Sequence, residues 1–306
     1  MTTETDADDD SGEETLLVEL GLSRELTLQW TVVSTLGFLV ALGLFGALYG
    51  VLTGAEASLS FRAANVGWWN LALELLVFVV LVTAIIVPHE WVHGLAIRYY
   101  GGEPRYGVGL AHFVLPYAYA TTDHRFSRNQ FVVVALAPLV VLTLVGVALL
   151  VAFGWGWLVV PLAANAGGAV GDLWMVLTVL GYPSHVSVED STTGVRILGR
   201  PDDRRRPHSA TALVWDAVVG AAVAVVGTLF VLGFVVPNVL LALGIESVTV
   251  GRPDTITYLF SFTNTPTEIS FGTGPAGLLV AGLVGLAYAF LRSAARQRRA
   301  ASEESA

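Results

Sequence analysis

A stretch in the middle of the chain reads FVVVALAPLVVLTLVGVALLVAF, from Phe131 to Phe153, and carries no charged residue. A helix of about 20 apolar residues crosses the hydrocarbon core of a bilayer, so this stretch predicts a membrane-spanning helix. The composition agrees, because 54% of the 306 residues are hydrophobic and the mean hydropathy is +0.67. Only 13% are charged, whereas about a quarter of an ordinary soluble domain is charged. The chain therefore has too little polar surface for a typical soluble protein.

Five more stretches have the length and apolar character of a membrane span: Leu28–Leu52, Val66–Ile97, Trp157–Leu180, Ala210–Val236 and Gly274–Leu291. Buried helices of a soluble protein are the alternative interpretation, and six such runs in one chain count against it. We therefore expect an all-α polytopic membrane protein with about six transmembrane helices.

Two connecting segments have a different pattern. Residues 105–120, between helices 2 and 3, are rich in glycine and strand-forming residues and predict a short β-like hairpin. The loop between the last two helices contains the alternating stretch Thr255–Phe260, which predicts a small β-like element outside the membrane.

The arginines predict how the chain is oriented. All 16 basic residues are arginine, and with six spans 14 of them fall on one side of the membrane. The other side receives only Arg62 and Arg252. Because cytoplasmic loops carry an excess of basic residues, we expect a multi-pass protein of the cell membrane with both termini in the cytoplasm.

The ends of the chain are polar. Seven of the 25 acidic residues precede Thr15, and the rest nearly balance the arginines, so we predict an acidic disordered tail over residues 1–22. A single membrane domain is expected over residues 23–293 and a cytoplasmic tail over residues 294–306. No cysteine is present, which excludes disulfides and thiolate metal ligands. We expect the lipid bilayer as a partner, and no nucleic acid.

The end of the second span carries the motif Pro88-His89-Glu90-Trp91-Val92-His93-Gly94. Residues four apart share a helix face, so both imidazoles can bind one metal ion. Glu90 lies about 100° around the helix from His89, a position that suits a general base acting on water. Chance gives roughly 0.005 matches to this pattern in a chain of this composition. The alternative is a pair of interfacial histidines beside a glutamate that pairs with an arginine.

A catalytic zinc site usually has a third protein ligand. The candidates are Asp172, His112, Asp123, His124, Glu103 and His185. Asp172 and His89 each lie 10 residues before the expected end of an inward-running span, near Tyr182 and Tyr99. At 1.5 Å per residue both groups lie about 15 Å inside the membrane exit, so we choose Asp172.

Small residues precede this aspartate in the stretch Asn165-Ala166-Gly167-Gly168-Ala169-Val170-Gly171-Asp172. Small residues let membrane helices approach closely, and we expect them to bring this span against the helix of His89. Asn165 has two interpretations that the sequence leaves open. It donates a hydrogen bond to a substrate carbonyl or oxyanion, or it bonds another helix.

These motifs resemble intramembrane zinc metalloproteases of the site-2 protease type. They are closer to a membrane family called "putative zincin peptidases". The resemblance rests on His89-Glu90-x-x-His93, Ala135-Leu136-Ala137-Pro138, Asn165–Asp172 and Glu189-Asp190, within a zincin-like core of about residues 66–194. It implies Zn²⁺ on His89, His93 and Asp172, with Glu90 as the base. One departure from the site-2 pattern is that glycine precedes the aspartate, as Gly171-Asp172, and does not follow it.

The predicted function is a zinc metallopeptidase that hydrolyses peptide bonds of membrane-anchored or membrane-adjacent proteins and peptides near the cytoplasmic face. The hairpin could hold such a substrate in extended form by strand addition, or it could be a loop that plugs the site. Asp190 either supports a zinc-binding histidine by a hydrogen bond or forms part of a surface charge pair with Glu189. The alternative function is a non-proteolytic membrane protein that binds or transports metal, or an inactive scaffold.

Overall fold

The computed structural model describes residues 14–21, 23–54, 68–111, 115–191, 194–204, 210–253, 255–265 and 269–304. The described chain is mostly helical, with three small sheets. In chain order its elements are β1 (Thr15–Gly21), α1 (Arg24–Thr53), α2 (Trp68–Ala84), α3 (Ile86–Tyr99), β2 (Arg105–Ala111), β3 (Leu115–Thr121), β4 (Arg125–Ser127), α4 (Arg128–Phe153), a 3₁₀ turn (Gly156–Leu158), α5 (Val159–Gly168), α6 (Val170–Val179), β5 (Ser187–Ser191), β6 (Gly194–Gly199), α7 (Ala210–Phe230), a π-helical turn (Val231–Val235), α8 (Val236–Ala242), β7 (Ser247–Val250), β8 (Phe260–Asn264), β9 (Ile269–Thr273) and α9 (Ala276–Glu304).

Five helical segments of the described residues are long and apolar enough to cross a membrane: Arg24–Thr53, Ala72–Tyr99, Arg128–Phe153, Gly156–Val179 and Ala210–Ala242. Many of their large apolar side chains point outward, such as Val51 at 84% exposure and Leu44 at 66%. Soluble monomers rarely expose large continuous apolar patches, so these faces suit lipid. The predicted sixth span, Gly274–Leu291, is not among the five and falls mostly in α9.

Two of these segments are interrupted at residues that favour a break. The segment formed by α2 and α3 breaks at Ile85, where Pro88 lacks the N–H that would bind the carbonyl of Ala84. The segment formed by α5 and α6 breaks at Ala169, directly after two glycines. These breaks lie beside His89 and Asp172.

All three sheets are antiparallel. The largest has the strand order β1-β6-β5-β4, while β2 pairs with β3 and β7, β8 and β9 form the third sheet. The predicted disordered tail is wrong for Thr15–Gly21, which form β1 and pair with β6. The acidic run ends at Glu14, and Leu17, Val18 and Leu20 pack on the main apolar core, so this strand is stabilised by burial.

The main apolar core lies where α3, α4 and α6 meet the four-stranded sheet. Its members come from all four elements: Ile97, Phe126, Phe131, Val134, Ala135, Val176, Val179, Tyr182, Val186, Val188, Val195 and Ile197. Val176 is about one helical turn beyond Asp172, and Ile97 is one turn beyond His93. This core therefore fixes the positions of the helices that carry the predicted metal ligands.

Candidate metal centre

The helices α3 and α6 bring two histidines and one aspartate together. The His89 Nε2 atom lies 3.2 Å from one carboxylate oxygen of Asp172, and the His93 Nε2 atom lies 3.6 Å from the other. The donor atoms of the three side chains all lie within 4.8 Å of one another. Both histidines are buried, and the Asp172 side chain is 13% exposed. The three side chains form one compact group enclosed by the helices.

The donor set and its spacing fit zinc. Zinc takes imidazole nitrogen and carboxylate oxygen at about 2.0–2.2 Å, so tetrahedral donors lie about 3.3 Å apart. The two nitrogen–oxygen separations in this cluster, 3.2 and 3.6 Å, bracket that value. These three side chains would supply three protein ligands to a zinc ion, the number that catalytic zinc sites usually have.

The outer nitrogen of each histidine is held by a hydrogen bond. The His89 Nδ1 donates to the side-chain oxygen of Asn165 at 3.0 Å, and the His93 Nδ1 donates to the carbonyl of Val134 at 2.9 Å. Because both partners are oxygen acceptors, each neutral ring carries its proton on Nδ1 and keeps the Nε2 lone pair for a metal. Two such lone pairs repel a facing carboxylate unless a metal ion or a proton lies between them, so the arrangement is compatible with a bound metal.

Glu90 lies next to the cluster without belonging to it. Its side chain is half-buried and lies beside the backbone of Ala120 in β3. The β2–β3 sheet also contacts α3 through the Tyr106 hydroxyl, which packs against Gly94. The sheet therefore covers the part of α3 that carries the expected base.

The Asn165 side chain forms a hydrogen bond with His89. Its side chain is fully buried, accepts from His89 and donates to the carbonyl of Pro138 at 3.3 Å. A longer contact of 3.5 Å reaches the Thr143 hydroxyl. Of the two interpretations that the sequence left open, these contacts match the bond to another helix. They leave the amide no donor directed at a substrate.

Asp190, a candidate for supporting a zinc histidine, lies in β5 opposite Val195 of β6. Its neighbour Glu189 forms an ion pair with Arg125 at 2.7 Å, and the same arginine pairs with Glu14. Both histidine Nδ1 atoms have other partners, so Asp190 takes no part in those hydrogen bonds. The acidic pair belongs to the four-stranded sheet.

The other candidate ligands are used elsewhere or lie outside the cluster. Asp123 forms an ion pair with Arg105, and the His185 ring lies 2.7 Å from the Asp203 carboxylate. Desolvation tends to raise the pKa of Asp203, but hydrogen bonds from the backbone N–H of Arg200 and from His185 outweigh it and lower this pKa. Glu103 is exposed, the His124 ring packs on the Phe126 ring, and His112 lies outside the described residues.

The glycines before Asp172 were expected to pack on α3, but those with close neighbours pack on α1. Gly167 approaches Ser34 and Phe38 of α1, and Gly171 approaches Trp30 of the same helix. These two glycines therefore face α1, while Asn165 and Asp172 of the same span contact His89 of α3. Half of the most apolar stretch of this span is buried, compared with 6–18% in the other four, which makes it the most enclosed segment.

Sequence analysis missed the role of α4. Its residues Val134 and Pro138 supply the carbonyls that hold His93 and Asn165. A proline inside an apolar helix is a visible signal for a freed carbonyl four residues earlier.

A buried cluster of two histidines and a carboxylate, with a glutamate beside it, has the composition of a zincin-type metal centre. Residues 81–187 match the model of a family described as "Putative zincin peptidase". The matched segment contains His89, Glu90, His93, Asn165 and Asp172. No curated protein and no solved structure matches the chain.

Proposed function

We propose that this chain is a membrane-embedded zinc metallopeptidase that hydrolyses peptide bonds of membrane-anchored or membrane-adjacent substrates near the cytoplasmic face. The observation that carries the proposal is the convergence of His89, His93 and Asp172, with both Nε2 atoms directed inward and Glu90 beside them. The family match at residues 81–187 supports the same reaction class.

The metal, Glu90 and the residues around Glu90 would have separate roles in hydrolysis. Bound zinc would supply a Lewis acid for the substrate carbonyl and would acidify a water molecule. Glu90 accepts the proton of the attacking water and then donates it to the departing amine. The backbone of Ala120 lies beside the Glu90 carboxylate, and the half-buried position of this side chain limits the access of bulk water.

The proposed membrane arrangement has six spans, with α9 as the sixth. This helix packs closely on α7, where the Cα of Gly285 lies 2.9 Å from the Cβ position of Gly220. The excess of arginine on one side supports a cytoplasmic position for both termini. The cluster lies within two helical turns of the core that joins the spans to the four-stranded sheet. That proximity supports hydrolysis near the cytoplasmic face.

The proposed substrate is an extended peptide segment. Strand β3 packs against α3, and its backbone near Ala120 lies beside Glu90. Strand addition to β3 would expose the carbonyls of a peptide to the base, whereas a helix keeps its carbonyls bonded. The alternative is that the β2–β3 sheet only plugs the site.

The test compares membranes of cells that carry the wild type, the Glu90→Gln variant or no copy of the protein. Quantitative proteomics of these membranes should show the same uncleaved precursors in the variant as in the cells without the protein. Unchanged processing by the Glu90→Gln variant would refute hydrolysis with Glu90 as the base. Accumulated precursors would identify the substrates.

A further inference from the structure

We propose that the Val134–Pro138 turn of α4 positions both metal-binding histidines: Pro138 acts on His93 by freeing the Val134 carbonyl, and the Pro138 carbonyl acts on His89 through Asn165. This inference rests on the proposed zinc site. It concerns the backbone carbonyls of α4 that orient the two histidines before metal binds. The turn runs from Val134 to Pro138 inside Arg128–Phe153, and α4 packs against α3, α5 and α6. It therefore lies between the helices that carry the two histidines, Asn165 and Asp172.

The first connection runs to His93. In an α-helix the N–H of each residue binds the carbonyl four residues earlier, so an ordinary residue at 138 would bind the carbonyl of Val134. Proline has no N–H, and its ring crowds that carbonyl and turns it away from the helix axis. The freed Val134 carbonyl accepts the hydrogen bond from the His93 Nδ1 at 2.9 Å.

The second connection runs to His89 through Asn165. The carbonyl of Pro138 itself accepts from the side-chain nitrogen of Asn165 at 3.3 Å. The Asn165 oxygen then accepts from the His89 Nδ1 at 3.0 Å. Two carbonyls of one helical turn thus set the orientation of both imidazole rings.

Burial makes these bonds matter. Pro138 is less than 2% exposed, Asn165 is fully buried, and Val134 is 7% exposed. Water does not reach these groups to replace a lost partner, so an unbonded imidazole N–H at this place is costly. Outer partners of metal-binding histidines fix the ring orientation and raise the basicity of the ligand nitrogen.

A purely structural role for Pro138, as a kink or as packing, makes a different prediction. It would change the stability of the apoprotein without changing how tightly the histidines bind metal. Metal affinity and apoprotein stability must therefore be measured on the same samples. The Co²⁺ form adds an absorption spectrum that reports directly on ligand geometry.

The experiment uses the full chain purified in detergent and stripped of metal. Zinc affinity is measured by competition with a chelator, and the visible spectrum is recorded with Co²⁺. For Pro138→Ala we expect zinc affinity to fall about 10- to 100-fold, with an altered Co²⁺ spectrum and little change in the apoprotein melting temperature. An affinity and a spectrum equal to those of the wild type would overturn the inference.

The matched control is Pro161→Ala. Pro161 is also a buried proline of a spanning helix, but it lies in the first turn of α5, where backbone N–H groups lack helical partners. We expect this variant to bind zinc like the wild type. An equal loss of affinity in both variants would assign the effect to proline removal in general and overturn the specific role of Pro138.

A second variant tests the other connection without altering the α4 backbone. Asn165→Leu removes the acceptor of His89, and we expect a similar loss of zinc affinity. Full affinity in this variant would overturn the connection to His89. If the variants lose affinity while the wild type cleaves no substrate, the positioning role stands and the peptidase proposal fails. A wild type that binds no zinc overturns both.

Discussion

At the scale of single residues, the two ring nitrogens of each histidine have separate tasks. The Nδ1 atoms of His89 and His93 donate to fixed acceptors, and the Nε2 atoms face Asp172. The sequence predicted which side chains meet, because a spacing of four residues and equal depth in two spans are readable from the letters alone. The sequence could not predict the groups that accept from Nδ1. Every residue has a backbone carbonyl, so the sequence does not single out the carbonyl of Val134.

Glu90 is the residue whose replacement separates catalysis from metal binding. For Glu90→Gln we expect proteolysis to fall by roughly 10²- to 10⁴-fold, because the base that accepts the proton is lost. Zinc binding should be unchanged, because the carboxylate lies outside the cluster. Activity on an identified substrate and zinc content give both quantities. Glu103→Gln, at an exposed glutamate, is the control and should retain full activity.

At the scale of elements, the contact between α7 and α9 is set by glycines. A Cβ added at Gly285 would lie 2.6 Å from the backbone oxygen of Ala217 and 2.8 Å from the backbone nitrogen of Ala221. Backbone atoms cannot move aside as a flexible side chain can, so any larger residue forces the helices apart. Gly282, on the same helix, has nothing within 4 Å of its added Cβ.

We therefore expect Gly285→Val to destabilise the protein by about 1–3 kcal/mol, as overpacking of a tight contact does. Gly282→Val makes the same chemical change on an open face and should leave stability nearly unaltered. Thermal unfolding of the two variants in detergent compares them directly. Equal melting temperatures would show that α9 does not pack on α7 through Gly285.

The long apolar helices were more predictable from the sequence than the short strand β1. Long apolar runs predicted most of the spanning helices, because about 20 apolar residues have few other stable environments. The strand β1 was not predicted, because its alternation of apolar and polar residues is short and follows an acidic run. Its stability comes from pairing with β6, which lies more than 170 residues away in the chain, and no local pattern reveals such a partner.

At the scale of the whole molecule, the sequence predicted spans but not their arrangement. Hydropathy gives no distances between helices, so it does not show that Gly167 and Gly171 face α1. The central place of α4 follows from packing of several helices at once. Only the assembled structure shows that a single turn of α4, from Val134 to Pro138, contacts His93 directly and His89 through Asn165.

The proposed orientation can be tested because the chain has no cysteine. Single cysteines are introduced at two exposed positions, Ser247 at the start of β7 and Asp202 after β6. In intact cells a membrane-impermeant maleimide should label Ser247→Cys, and it should label Asp202→Cys only after the membrane is opened. The reverse pattern would contradict cytoplasmic termini, and labelling of both in intact cells would contradict the six-span arrangement.

The central claim is that α3 and α6 bind one zinc ion through His89, His93 and Asp172. The most direct measurement is the zinc content of the purified full chain, wild type and Asp172→Ala, equilibrated at the same low free zinc concentration. We predict one zinc ion per wild-type chain and a large loss in Asp172→Ala, which keeps both histidines. Equal zinc content in the two proteins, or none in the wild type, would contradict the claim.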